Sequence, residues 1–93
     1  MKQRKDIVRH ASEVFDMPED LFPGTPLVEL YGNHRILIEN HRGVAGYSCR
    51  EISVCTQLGT YLISGNKLEI VNMTKHRLVI TGTILSVTLN YRR

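Results

Sequence analysis

Five consecutive residues, Glu39-Asn40-His41-Arg42-Gly43, bring an acid, an amide, an imidazole, a guanidinium and a glycine together. Glu39 and His41 are the residue types of an acid–base pair, in which an imidazole moves a proton and a carboxylate assists it. Catalysis asks for more, and no nucleophile or oxyanion device stands beside them in sequence. With His34 added, the run offers at most three metal ligands, without the spacing of a metal centre. Read as backbone, it is a tight turn: asparagine hydrogen-bonds its own backbone and glycine takes a positive φ. The turn is the reading that completes itself. It leaves no catalytic, cofactor-binding or metal residue to assign, and makes Glu39, Asn40, His41, Arg42 and Gly43 a candidate contact surface for a partner.

The other reactive side chains are sparse. Cys49 and Cys55 are the only cysteines and do not form a C-x-x-C pair, so neither a zinc framework nor any other cofactor is expected. There is no glycine-rich phosphate loop, G-x-S-x-G elbow or H-E-x-x-H helix. His10 and His76 read as surface histidines. No signal peptide is recognisable, and no apolar run approaches the ~20 residues of a membrane helix. The expectation is therefore a cytoplasmic protein with reduced thiols and no transmembrane segment.

At 93 residues, with 42% hydrophobic and 23% charged side chains, the chain has the make-up of one folded domain with one modest core. Its formal net charge of +3 is unevenly placed. Acidic residues prevail over residues 1–30, whereas residues 31–93 carry eight Lys/Arg against Glu39, Glu51 and Glu69. The second part could lean on an acidic partner, an anionic lipid surface or nucleic acid.

Two kinds of element must position these residues. Over residues 4–16, Ile7, Val8, Ala11, Val14 and Phe15 recur at three- and four-residue intervals, the pattern of an amphipathic helix. Met17-Pro18 ends it, because the residue before proline is pushed out of the α region, and Pro23-Gly24-Thr25-Pro26 is a rigid connector. Over residues 27–91 the apolar period is two, which predicts an antiparallel β-meander of about seven to eight short strands, closed as a small barrel, a sandwich or a roll.

Hairpin arithmetic sharpens that meander, since directly opposed residues share a face. A turn at Gly32-Asn33-His34 sets Leu30 against Ile36 and Val28 against Ile38. A turn over Asn40–Gly43 sets Ile38 against Ala45 and Ile36 against Tyr47. Ser48–Glu51 leads from Tyr47 to Ile52. Leu58-Gly59 sets Val54 against Ile63, and Gly65-Asn66 sets Ile63 against Leu68 and Tyr61 against Ile70. All these turns gather Val28, Leu30, Ile36, Ile38, Ala45, Tyr47, Ile52, Val54, Tyr61, Ile63, Leu68 and Ile70 on one face. Leu78 and Ile80 resume it after a loop. Gly82 marks a turn or bulge, beyond which Val87, Leu89 and Tyr91 alternate in the other phase.

The opposite face carries Leu37, Val44, Leu62, Val71 and Val79, too apolar to be simply wet. Either the N-terminal helix covers this stripe through Val8, Ala11 and Phe15, or a partner does. Leu37, Val44 and Leu62 thus join the candidate partner-binding residues. A second copy of the chain is one such partner. The competing function is a small nucleic-acid-binding β-barrel, which stacks bases on exposed aromatics. Here Tyr47 and Tyr61 fall on the inward face, and Arg35, Arg42, Arg50, Lys67, Lys75 and Arg77 sit at turns and strand ends. No specific nucleic acid is expected.

Beyond physics, several of these residues resemble a family. Gly32-Asn33, Ile36–Ile38 and Glu39-Asn40-His41-Arg42-Gly43-Val44 look like the signature of the YabP/YqfC sporulation proteins. The likeness continues through Ile52, Val54, Thr56, Gly59, Ile63, Gly65, Leu68, Ile70, Met73, Leu78, Ile80, Gly82, Ile84 and Val87. Upstream, Asp16-Met17-Pro18-Glu19-Asp20 and Pro26-Leu27-Val28 are similar to the YqfC branch, while residues 1–9 match no motif. The resemblance covers nearly the whole chain. It implies a non-enzymatic protein made in the mother cell of an endospore-forming bacterium. In this family the YqfC branch is paired with a YqfD-like membrane protein, and the YabP branch with spore coat formation. The resemblance supplies no catalytic residue.

Overall fold

The computed structural model describes residues 24–91. The helix expected over residues 4–16, and its cover of the sheet, fall outside them. Six strands run in succession: β1 (Leu27–Tyr31), β2 (Arg35–Glu39), β3 (His41–Tyr47), β4 (Glu51–Thr56), β5 (Gly59–Met73) and β6 (Arg77–Tyr91). They form one antiparallel sheet in the order β1-β2-β6-β5-β4-β3. The mainly β, antiparallel expectation holds, but with six strands where seven to eight short ones were expected. The reason is that β5 and β6 are 15 residues each and run unbroken through Gly65-Asn66 and Gly82.

This long β5–β6 ribbon organises the molecule into two halves. The first part of β5 pairs with β4, and β4 with β3, while the last part of β6 closes that half. The first part of β6 pairs with β2, and β2 with β1, while the last part of β5 closes the second half. Ile52, Val54, Ile63 and Ile84 from one half meet Ile36, Ile38, Leu68, Leu78 and Ile80 from the other in a single buried cluster. Each fully buried isoleucine or leucine contributes about 1.5–3 kcal/mol of burial free energy, so this shared core is what holds the halves together.

The ribbon makes the fold by changing phase. Inward residues of β5 are odd-numbered up to Ile63 and even-numbered from Leu68, because the register shifts between Asn66 and Glu69. Lys67 takes a left-handed φ of 54° there, opposite Gly82 at 130°. In β6 the shift lies at Leu85, not at Gly82: Leu78, Ile80 and Ile84 point inward, and then Val87. A bulge of this kind bends the strand and strengthens its twist. The ribbon is tightest at its two glycines. A Cβ on Gly65 would run into the Thr83 carbonyl, and one on Gly82 would stand 2.6 Å from the Lys67 carbonyl oxygen.

Two hairpin loops clip onto those bends by backbone hydrogen bonds. The β3–β4 loop offers the carbonyls of Arg50 to Gly65 N–H (2.9 Å) and Cys49 to Leu68 N–H (2.7 Å). The β1–β2 turn offers His34 to Gly82 N–H (3.3 Å) and Asn33 to Ile84 N–H (2.6 Å). The two halves are thus built on one plan, a hairpin whose loop caps the bend of the ribbon.

Register expectations fare unevenly. Val28↔Ile38, Leu30↔Ile36 and Tyr47↔Ile52 are as expected. The β4–β5 turn sits at Gln57-Leu58, where the Thr56 hydroxyl donates to the Gly59 carbonyl and accepts from Leu58 N–H. It pairs Val54 with Tyr61 and Ile52 with Ile63, a shift that preserves the face. Gly65-Asn66 is not a hairpin turn; Ile63 lies against Ile52 and Val87. Nor do Ile36 and Ile38 oppose Tyr47 and Ala45, since β2 pairs with β1 and β6. Leu30 keeps its predicted pairing but is 53% exposed at the sheet's margin.

Candidate functional site

The Glu39–Gly43 run is a corner, not a hairpin. At Asn40 the chain leaves β2 in one half and enters β3 in the other, turning through a left-handed φ of 65° that asparagine tolerates better than most residues. Each residue of the corner has a definite task. Asn40 N–H donates to the His76 carbonyl (2.6 Å), and its side-chain amide donates to the Thr25 carbonyl (2.8 Å). Glu39 holds Arg77 through a 3.0 Å ion pair. The clamp therefore grips Thr74–Arg77, the tip of the ribbon, whose own turn closes with Thr74 N–H on the Arg77 carbonyl (2.7 Å) and Arg77 N–H on the Thr74 hydroxyl (3.0 Å).

His41 is the centre of this arrangement. As part of a contact surface it would be accessible to a partner; instead it is 5% exposed and lies opposite the buried Thr56. Its Nδ1 accepts the Gly43 N–H at 3.0 Å, which leaves Nε2 to carry the proton and donate to the Thr74 carbonyl at 2.9 Å. One ring thus satisfies a donor in its own strand and an acceptor in the ribbon tip, which is how a buried imidazole avoids a desolvation penalty. Both ring nitrogens are used and neither faces Glu39, so the two residues form no acid–base pair. Among the described residues no group of three His, Cys, Asp or Glu side chains is placed to hold a metal ion.

The glycine of the motif sets the register of the rest of β3. Gly43 has a φ of 125°, and the β3–β4 pairing shifts between His41 and Gly43 and again between Val44 and Gly46. The first shift turns Val44 inward, opposite Val54 and against the core. Val44 therefore leaves the outer stripe on which it was expected. The second shift makes Ala45 the extra, exposed residue and returns Tyr47 to the side of Ile52, where it is 57% exposed at the sheet's margin with its hydroxyl accepting the Ile70 N–H at 3.4 Å. Leu37 and Leu62 do lie on the outer side, half-buried, but in different halves: Leu37 sits between Glu29 and Val79, Leu62 between Ser53 and Thr88. They do not form one stripe with Val44.

What remains outward at the corner is Arg42. It is exposed and makes no hydrogen bond or ion pair among the described residues. It borders a shallow groove lined by Gly24, Asn40–Gly43 and Met73–His76. Sequence reasoning found the corner but not its partners. Thr74 and His76 contribute only backbone carbonyls, which leave no trace in residue type. The local half of the His41 contact, an imidazole two residues before a glycine N–H, was available to be read.

Among the described residues the geometry defines a single-core antiparallel β-sheet whose most distinctive motif is an internal clamp from which Arg42 points outward. No helix among the described residues is long and apolar enough to cross a membrane. The chain belongs to the YabP family, whose family model matches residues 25–93. It is 29% identical over 85 residues to "Uncharacterized protein YqfC" of Bacillus subtilis (strain 168), a match covering 90% of this chain and 91% of that protein. No solved structure matches the chain.

Proposed function

We propose that this protein is a non-enzymatic assembly module of sporulation, working from the mother-cell cytoplasm on a protein partner. That partner is a YqfD-like membrane protein or a component of the spore envelope, as the family resemblance implies. The observation that carries the reading is the division of labour in the motif. Glu39, Asn40, His41 and Gly43 commit their polar groups to the chain's own backbone and to Arg77, while Arg42 is left exposed beside a groove. Polar groups committed to backbone and to one another, with no nucleophile set beside them, suit the positioning of a surface better than the turnover of a substrate. The nucleic-acid reading gains no comparable support, because Arg77 is tied to Glu39 and Arg42 and Arg50 sit at opposite ends of the β3 region.

The test is genetic and structural at once. Deleting the gene in the organism that carries it should lower the count of heat-resistant spores. Restoring it with Arg42→Ala should give a folded protein at normal level that complements poorly. A deletion strain with a normal spore count contradicts the sporulation role. Full complementation by Arg42→Ala removes this corner as the contact.

A further inference from the structure

The ribbon leaves two stretches of strand with a neighbour on one side only among the described residues. One is Glu69–Met73 of β5, and the other is Leu85–Tyr91 of β6. An unpaired edge is a template for another strand, and proteins guard such edges with charges, bulges or side chains laid across them. The β5 edge is guarded: Glu69 stands exposed on it, and the Tyr47 hydroxyl takes up the Ile70 N–H. The outer strand β1 carries Glu29, and β3 carries Arg42 with two register shifts.

The β6 edge has a bulge at Leu85 but, among the described residues, neither a charge nor a side chain laid across it. Two long stretches of the described chain lack any Asp, Glu, Lys or Arg: Ile52–Asn66 and Leu78–Tyr91. The first lies on β4 and the first part of β5, which are flanked by strands on both sides, where an uncharged run is expected. The second starts on the interior part of β6 and continues out along its open edge. It contains no proline, and is rich in the β-branched residues that favour strands, with Thr83, Ile84, Val87 and Thr88 among them. Its bulge projects not a charge but Leu85, at 67% exposure.

We propose that the Leu85–Tyr91 edge of β6 pairs antiparallel with the same edge of a second copy of this chain. Charge decides for a second copy. A two-fold pairing sets the strand against itself, so any charge on it would face a like-charged strand, which is destabilising. This edge alone among the four carries none. Self-pairing continues the six-stranded sheet across a two-fold axis near Thr88, gives the outward backbone groups of the Leu85–Tyr91 edge a partner, and sets Leu85 of each copy beside Tyr91 of the other.

Analytical ultracentrifugation of the full chain over a concentration series tests this. The wild type sediments as a dimer, and Leu85→Lys weakens self-association by roughly tenfold or more by putting on this edge the kind of charge that guards edge strands against pairing. Val71→Lys, at the corresponding bulge of the guarded β5 edge, leaves the dimer unchanged. Hydrogen exchange supplies the second readout: those amides of Leu85–Asn90 that face away from β5 slow as protein concentration rises. A monomer at every concentration overturns the proposal. So does a dimer that survives Leu85→Lys, or one that dissociates equally with Val71→Lys. Protection of those amides that is independent of concentration would assign the edge to the chain's own residues 1–23 and likewise overturn it.

Discussion

The two halves of the sheet solve the same problem with different residues. In each, a hairpin loop lends two backbone carbonyls to the bend of the ribbon: Cys49 and Arg50 at Gly65–Leu68, Asn33 and His34 at Gly82–Ile84. The β3–β4 loop is internally braced by Ser48, whose hydroxyl accepts from Arg50 N–H (3.2 Å) and Glu51 N–H (3.0 Å). The β1–β2 turn relies instead on a left-handed Gly32, φ 57°, and a His34 N–H to Tyr31 carbonyl bond of 3.3 Å. The difference extends to the edges, one guarded by Glu69 and Tyr47 and the other uncharged. Equal architecture with unequal edges locates where the molecule protects itself and where it stays open.

The sharpest way to break this equivalence is at the two bends. Gly65→Ala drives a methyl into the Thr83 carbonyl, which is backbone and has little room to move. We expect a loss of about 3 kcal/mol or more in urea unfolding. Gly82→Ala meets Lys67 and Leu68 backbone at 2.6–2.9 Å and must also hold a φ of 130°. Its expected cost is about 2–3 kcal/mol. If the bends are equivalent, both variants should loosen the shared core and not merely their own half, seen as loss of amide protection at Ile36–Ile38 and Ile52–Val54 together. Protection lost in one half alone would show that the halves unfold separately.

A smaller effect is expected at the ion pair. Glu39→Gln removes a contact whose partners are 35% and 55% exposed, so its contribution is screened by solvent. The expected change in unfolding free energy is about 0.5 kcal/mol or less, shrinking further at high salt. A cost several times larger would mean that Glu39, and not His41, anchors the ribbon tip.

Much of the sheet was legible in the sequence, for a physical reason. Where a loop is short and its strands pair with each other, period-two patterning leaves few registers, as for Val28–Ile38 around Gly32–His34 and Tyr47–Ile52 around Ser48–Glu51. Gly65-Asn66 has the composition of a hairpin turn, whereas its glycine is needed for close approach to Thr83, 18 residues on. That reason is invisible locally. The corner failed in the same way, since its partners at Thr74, His76 and Arg77 lie more than 30 residues downstream. Val44 was placed on the wrong face because one extra residue at Arg42-Gly43 flips a strand. Its spacing of three from His41, where a plain strand would give two, was the available clue.

The central claim is that the Glu-Asn-His-Arg-Gly motif holds the two halves in place through His41 and leaves Arg42 free for a partner. Urea unfolding of His41→Ala beside Arg42→Ala tests it directly. His41→Ala strips the Thr74 carbonyl and the Gly43 N–H of their partner in a buried site, and should cost about 2–3 kcal/mol. Arg42→Ala should stay within about 0.5 kcal/mol of the wild type. Equal stabilities for the two variants, or a larger loss from Arg42→Ala, would contradict it.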